Sequence, residues 1–350
     1  MKYLKYILLL TILWNIPSFF SYDEAIGSKF SFLMISLLLI YYFLCRKGKF
    51  ILPFLILGLL YFIISGSILV AGDIKYFIND LIKYFVLIIA GAELARESSK
   101  KDLFVILVLG ASSIFIHALL FQGDFGRYSG IYLDPNGAGF VCAMAYSLSF
   151  KVRPRFLKIL GQLIVTFAGL LTFSRTFIIL WFIVSLIATI SDKKNYLNFV
   201  IGIGALSMLI SVSAFFKVDN IRFNAITNLL INQETSSLSI VRTDSRLKTW
   251  SKYYEDILEN PFYGNGYRQL SGYEKEKPGV HNAYLMVIGE GGFLPFLTFL
   301  GIYFYMLLGS FRCYKTESFK FMLAITLAIL LLTTHNYFDN FIIIFMSLWL

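Results

Sequence analysis

The sequence is short of charge: Asp, Glu, Lys and Arg together make 15% of its 350 residues, against about 25% in an ordinary soluble domain. Histidine occurs three times and proline seven. The three cysteines, Cys45, Cys142 and Cys313, lie in or beside apolar runs; their spacing suits neither a metal site nor a disulfide framework. No Gly-Lys-Ser/Thr phosphate loop is present, which removes the common NTPase class. No Asp-x-Asp pair offers to hold a divalent metal against a nucleotide sugar, and no His/Cys group has zinc spacing. An enzyme built from this chain is therefore expected to work without metal, cofactor or nucleotide. Arginine charge would then carry the stabilisation of a leaving anion. Low-complexity linkers and internal repeats are absent too.

What fills the chain instead is apolar. Hydrophobic residues make 58% of it, above the 45–50% or so of soluble domains. They come in runs of roughly 15 to 22 residues, about what a helix needs to cross a bilayer. In lipid the backbone must satisfy its own hydrogen bonds, so such runs mean helices; the alternating pattern of a membrane barrel is missing. The expected fold is all-α, a polytopic transmembrane bundle of about 12 spans forming a single domain over 1–350. The spans are placed at 3–20, 30–45, 50–71, 76–92, 103–121, 134–150, 156–173, 175–191, 196–216, 283–309, 319–333 and 338–350. A cleaved signal peptide would resemble the first run, but it is long and lacks a small-residue cleavage pattern.

The net charge of +10 does not point to nucleic acid, because the basic residues sit in short clusters between apolar runs. With a cytoplasmic N-terminus, alternate loops carry Arg46-Lys47, Arg96 with Lys100-Lys101, Lys151 with Arg153 and Arg155, Lys193-Lys194, and Arg312 with Lys315. This is the inside-positive pattern of a multi-pass membrane protein. Residues 217–282 break the rhythm of short turns. By parity this long loop, inserted between spans nine and ten, lies outside the cytoplasm, and loops of this length are usually functional. Within it Leu247, Trp250, Tyr254, Ile257 and Leu258 have helical spacing, predicting a surface helix over Thr243–Leu258. Asn260-Pro261 should end that helix, and Gly264-Asn265-Gly266 should turn tightly.

The polar residues that stand out map to that same outer side. Arg127 and Asp134-Pro135-Asn136 share one loop, and Ser174-Arg175-Thr176 forms the next turn. Arg242, Arg246, Lys248, Arg268, His281 and Asn282 belong to the long loop, and His335, Asn336 and Asp339 to the last turn. Arg175 has two readings: a snorkelling interface anchor, or a guanidinium that grips phosphate through parallel hydrogen bonds. His281, at the mouth of a helix, is either a capping residue or a base able to take a proton from a sugar hydroxyl. His335 reads as a supporting or interfacial residue. His117, inside an apolar run, reads as packed. Glu290 is two and a half turns beyond His281, too far for a direct pair.

Four segments together resemble the O-antigen polymerase and O-antigen ligase superfamily of bacterial membrane proteins. They are Arg127-Tyr128-Ser129-Gly130 with Asp134-Pro135-Asn136; Thr172-Phe173-Ser174-Arg175-Thr176; Arg246 through Trp250 to Asn260-Pro261-Phe262-Tyr263-Gly264-Asn265-Gly266; and His281-Asn282-Ala283-Tyr284-Leu285 with Gly289-Glu290-Gly291-Gly292. The likeness covers about 120–310. The chain departs from it at Thr176, where a glycine is frequent, and at Pro295, where a second spaced glycine is frequent. The resemblance implies an inverting, metal-independent glycosyltransferase. It would take an undecaprenyl-diphosphate-linked glycan at the periplasmic face of the bacterial inner membrane. By position, Arg175 and Arg246 would grip the diphosphate, with Arg127 and Arg268 as softer candidates. His281 would be the general base, and Ser174, Asn282, Glu290 and His335 would support. The partners would be lipid-linked oligosaccharide and polysaccharide and the membrane lipid, with a chain-length regulator as a further candidate. A polymerase, extending a lipid-linked repeat unit, is favoured. A ligase to lipid A core, a capsule or exopolysaccharide polymerase, and a lipid-linked oligosaccharide transporter remain alternatives.

Overall fold

A computed structural model describes residues 1–20, 24–121, 127–197, 199–204, 207, 246–272 and 278–350. Its regular elements are helices, with no strand among the described residues. Apart from the single turn Ile16–Phe19 and three 3-10 turns, they are in chain order α1 Lys2–Leu13, α2 Glu24–Leu44, α3 Leu52–Gly66 and α4 Ile74–Val86, which runs through a π turn, Leu87–Gly91, into α5 Ala92–Glu97. Next come α6 Lys100–Leu120, α7 Pro135–Ser149, α8 Arg155–Leu171 and α9 Arg175–Ser191. The remaining elements are α10 Arg246–Ser251, α11 Tyr254–Glu259, α12 Ala283–Gly291, α13 Phe293–Arg312, α14 Tyr314–Leu330 and α15 Phe341–Trp349.

Among the described residues, three helices are long and apolar enough to cross a membrane: Ile26–Leu44 within α2, Lys100–Leu120 and Phe293–Arg312. That is membrane-protein character. Shorter apolar helices include Leu52–Gly66 and Arg175–Ser191. The ninth expected span, at 196–216, and Arg242 lie largely or wholly outside the described residues. The tenth differs from expectation. It is two helices, α12 and α13, meeting at Gly292, whose φ of 78° and ψ of −169° no other residue type holds comfortably. The surface helix expected over Thr243–Leu258 is likewise two short pieces, α10 and α11, the second ending at Glu259 before Asn260-Pro261.

The chain divides into two compact units, one made of Met1–Ile106 with Thr249–Leu350 and the other of Leu107–Lys248. In the first, α13 packs on α3, α12 and α14, and α15 packs on α5 and the π turn. Lys5 pairs with Asp102 at 2.9 Å, and the Trp14 indole donates to the Ile106 carbonyl at 2.9 Å. Aromatic rings fill its centre: Tyr61 stacks on Phe338 at 3.7 Å. The buried Tyr84 hydroxyl donates to the Phe54 carbonyl at 2.8 Å, so its burial leaves no orphan donor.

In the second unit α7, α8 and α9 pack on one another. Small residues let their backbones approach, the usual device where lipid removes the hydrophobic drive between helices. A Cβ on Gly169 would lie 2.1 Å from the Phe177 ring, and one on Gly139 would lie 3.0 Å from the Cβ atoms of Phe177 and Ser174. The two glycines seat the first turn of α9 against both neighbours, and with it Ser174 and Arg175.

Candidate functional site

In the second unit the resemblance-bearing segments meet at the start of α9. Ser174 is its N-cap, with Oγ accepting from the Phe177 amide at 3.4 Å. The same hydroxyl donates to Asn136 Oδ1 at 3.3 Å. Asp134 caps α7 by accepting from the Gly137 amide at 2.7 Å. Ser174, expected as a supporting site residue, and Asp134 are thus helix caps. Arg175 is exposed on the first turn of α9. Arg246 donates through both terminal nitrogens to Thr176 Oγ1, at 3.3 and 3.4 Å. The structure thus brings Arg246 to the residue next to Arg175, across 70 positions of sequence.

Arg127 joins the same region through its backbone, since the amide of Tyr128 donates to the Leu171 carbonyl at 3.3 Å. Its Nε–H is buried and has no acceptor among the described residues. Such a donor is costly to leave unmade and is suited to an incoming anion.

The segment after Arg127 is templated by two side chains of α6, His117, expected to be packed, and Ser113. His117 Nδ1 accepts from the amides of both Ser129 and Gly130, each at 3.1 Å. Ser113 Oγ, four residues earlier and so on the same helix face, accepts from the Ile131 amide at 3.1 Å. Gly130 has φ +58°, and a Cβ there would sit 2.2 Å from Ser113 Oγ. The spacing of Ser113 and His117 on one face was the available signal. It could not be read without knowing which loop folds back on that face.

In the first unit the chemistry gathers around His281, whose φ is +45°. Left-handed backbone at a non-glycine residue is strained and clusters at functional sites. Hydrogen bonds hold the chain on either side: Val280 donates to the Leu270 carbonyl at 3.1 Å and Ala283 to that of Leu331 at 2.7 Å. Asn282, not His281, caps α12, accepting from Tyr284 and Leu285 at 3.0 and 3.2 Å. The tie to Leu331 brings in the turn that carries His335, and the two imidazoles meet Nδ1 to Nδ1 at 3.0 Å. Burial, then the neighbouring His281, pulls the His335 pKa down to about 4. His335 is thus neutral at neutral pH and fit to accept. If His281 Nδ1–H donates to it, His281 Nε2 keeps its lone pair as a base. Gly279 closes over the pair: a Cβ there would lie 3.2 Å from His335 Nε2.

Two expected site residues are committed elsewhere. Arg268, at φ +62°, pairs with Asp73 at 3.4 Å and lies 4.1 Å from the Tyr76 ring centroid. The buried Glu290 carboxylate accepts from the Tyr61 hydroxyl at 2.5 Å and the Leu270 amide at 3.1 Å.

Two further resemblance-bearing segments dock backbone to backbone. Asn265 donates to the Gly289 carbonyl at 2.7 Å and Gly266 to that of Glu290 at 3.2 Å. A Cβ on Gly264 would lie 2.5 Å from the Glu290 carbonyl carbon, and one on Gly292 2.1 Å from the Phe262 oxygen. The glycines of both segments are there because each strand of backbone lies against the other.

No protein-family model matches the chain, and no curated protein matches it.

Proposed function

We propose that the chain is a metal-independent, inverting glycosyltransferase of the O-antigen polymerase kind, joining one undecaprenyl-diphosphate-linked glycan to the sugar hydroxyl of another. The observation that carries this reading is the His281–His335 pair, in which a neutral His335 meets His281 Nδ1 to Nδ1; with His281 Nδ1–H as the donor, its Nε2 is a base. In the step, the acceptor oxygen bonds to the donor's anomeric carbon from the face opposite the diphosphate. The bond from that carbon to the diphosphate oxygen breaks, and its electrons leave with the phosphate. His281 Nε2 takes the acceptor proton. The resemblance assigns the offset of charge on the leaving diphosphate to Arg175 and Arg246, with Arg127. Arg268 is given no role in that grip, because Asp73 already holds it.

The same reading puts the chain in the bacterial inner membrane with about 12 spans, a cytoplasmic N-terminus and residues 217–282 in the periplasm. The alternation of basic loops supports that orientation.

The test is purified protein in liposomes with the undecaprenyl-diphosphate-linked repeat unit as both donor and acceptor, in the presence of chelator and without nucleotide. A ladder of products is expected. Transfer only when lipid A core is added would make the chain a ligase. Movement of the lipid-linked unit across the bilayer without a new glycosidic bond would make it a transporter and end the enzyme reading.

A further inference from the structure

We propose that His117 is the positioning residue for Arg127, holding the Arg127–Ile131 backbone in place through an unprotonated Nδ1. For the role of Arg127 this rests on the function proposed above; for the backbone it stands alone.

Two successive amides, those of Ser129 and Gly130, converge on one imidazole nitrogen at 3.1 Å each. Ser129 has φ −122° and ψ −13°, and Gly130 is left-handed at φ +58°. Successive N–H groups in such a right-handed then left-handed pair form a concavity that ordinarily takes an anion. Here a neutral nitrogen lone pair fills it. A phosphate therefore does not use this backbone, and the handle this segment offers to an anion is the Arg127 side chain, whose buried Nε–H has no partner among the described residues.

The imidazole is itself fixed. Its ring meets Tyr128 edge to face at 5.5 Å and Phe121 at 5.7 Å. Nδ1 accepts, so it carries no proton, and the neutral ring holds its proton on Nε2. Ser113 takes the next amide, that of Ile131, and Leu171 accepts from Tyr128. Every backbone amide from Tyr128 to Ile131 is thus bonded to a group outside the segment. His117 supplies the acceptor for two of them.

The experiment compares wild type with His117→Leu and His117→Asn. Asparagine places Oδ1 where Nδ1 stands, with the same number of bonds from the backbone; leucine fills the space and accepts nothing. Deuterium uptake is followed in peptides covering 127–133, with peptides from α3 and α13 as the control for folding. Uptake over 127–133 should rise at least tenfold in rate in His117→Leu and stay near wild type in His117→Asn. In the liposome assay His117→Leu should raise KM for the lipid-linked donor about tenfold with kcat little changed, and His117→Asn should restore KM. Equal protection of 127–133 in all three proteins would overturn the proposal. So would failure of His117→Asn to protect the segment while the control peptides stay unchanged. If protection follows the acceptor but wild type itself makes no glycosidic bond, His117 keeps its role and the glycosyltransferase reading is what fails.

Discussion

At the scale of single residues, the candidate groups separate by whether the fold already uses them. Arg175 is exposed, so Arg175→Ala should leave the unfolding temperature nearly unchanged. It should lower the transfer rate on the order of 10²-fold, as loss of one charge-stabilising donor does. Arg268→Gln should do the reverse. It strands the buried Asp73 carboxylate and should lower stability by about 3 kcal/mol, seen in thermal unfolding in detergent, while the donor KM changes little. His281→Ala should cost on the order of 10³-fold in rate. His335 adds a pH dependence. Its folded pKa of about 4 lies below the ordinary 6.5, so between those values the unfolded chain binds more protons. Stability should be intact above pH 6.5 and fall as pH drops toward 4. Replacing His335 with Asn should flatten that slope, and an unchanged slope would remove the buried-histidine account.

At the scale of elements, helices were legible and their breaks were not. The limits of α6, α7, α8 and α9 follow the apolar runs within a few residues, because composition alone sets them. The division of α12 from α13 was hidden, since Gly292 looks like any glycine in an apolar run. Its conformation is imposed by Phe262, thirty residues earlier, against which only hydrogen fits. Gly292→Ala should therefore destabilise by about 3 kcal/mol from backbone strain alone, measurable as an earlier thermal transition. Alanine at Gly301, which has open space around it, should be tolerated; equal loss at both would refute the docking argument. The polar residues were legible as a group, but not their duties. Ser174 and Asn282, expected as supporting residues, and Asp134 also cap helices, and His117, expected to be packed, accepts from the amides of a loop. Sequence shows which side chains are polar, whereas distant backbone decides which are already satisfied.

At the scale of the whole molecule, the protein carries its own probe of the proposed membrane orientation. Cys313 is exposed and Cys142 buried. With Arg312 and Lys315 beside it, Cys313 falls in an inside-facing loop on the proposed orientation. A membrane-impermeant maleimide should label it only after permeabilisation, whereas a cysteine placed at the exposed Tyr263 should react from outside. The opposite pattern would invert the topology and take His281 off the periplasmic face.

The shortness of several apolar helices bears on the lipid itself. At about 1.5 Å per residue, the 15 residues of α3 rise about 22 Å, well under a hydrocarbon core of about 30 Å. The nine residues of α15 fall further short. On the proposed topology, lipid beside the half-exposed α3 must dimple, or the polar ends of such helices must sink below the headgroup plane, while α15 is buried by its neighbours. Asn340, which caps α15, and the nearby His335 would then lie at phosphate depth, where a polyprenyl diphosphate rests without being lifted. Transfer should accordingly be fastest in thin bilayers and slow steadily as acyl chains lengthen, with binding to soluble fragments of the glycan unchanged.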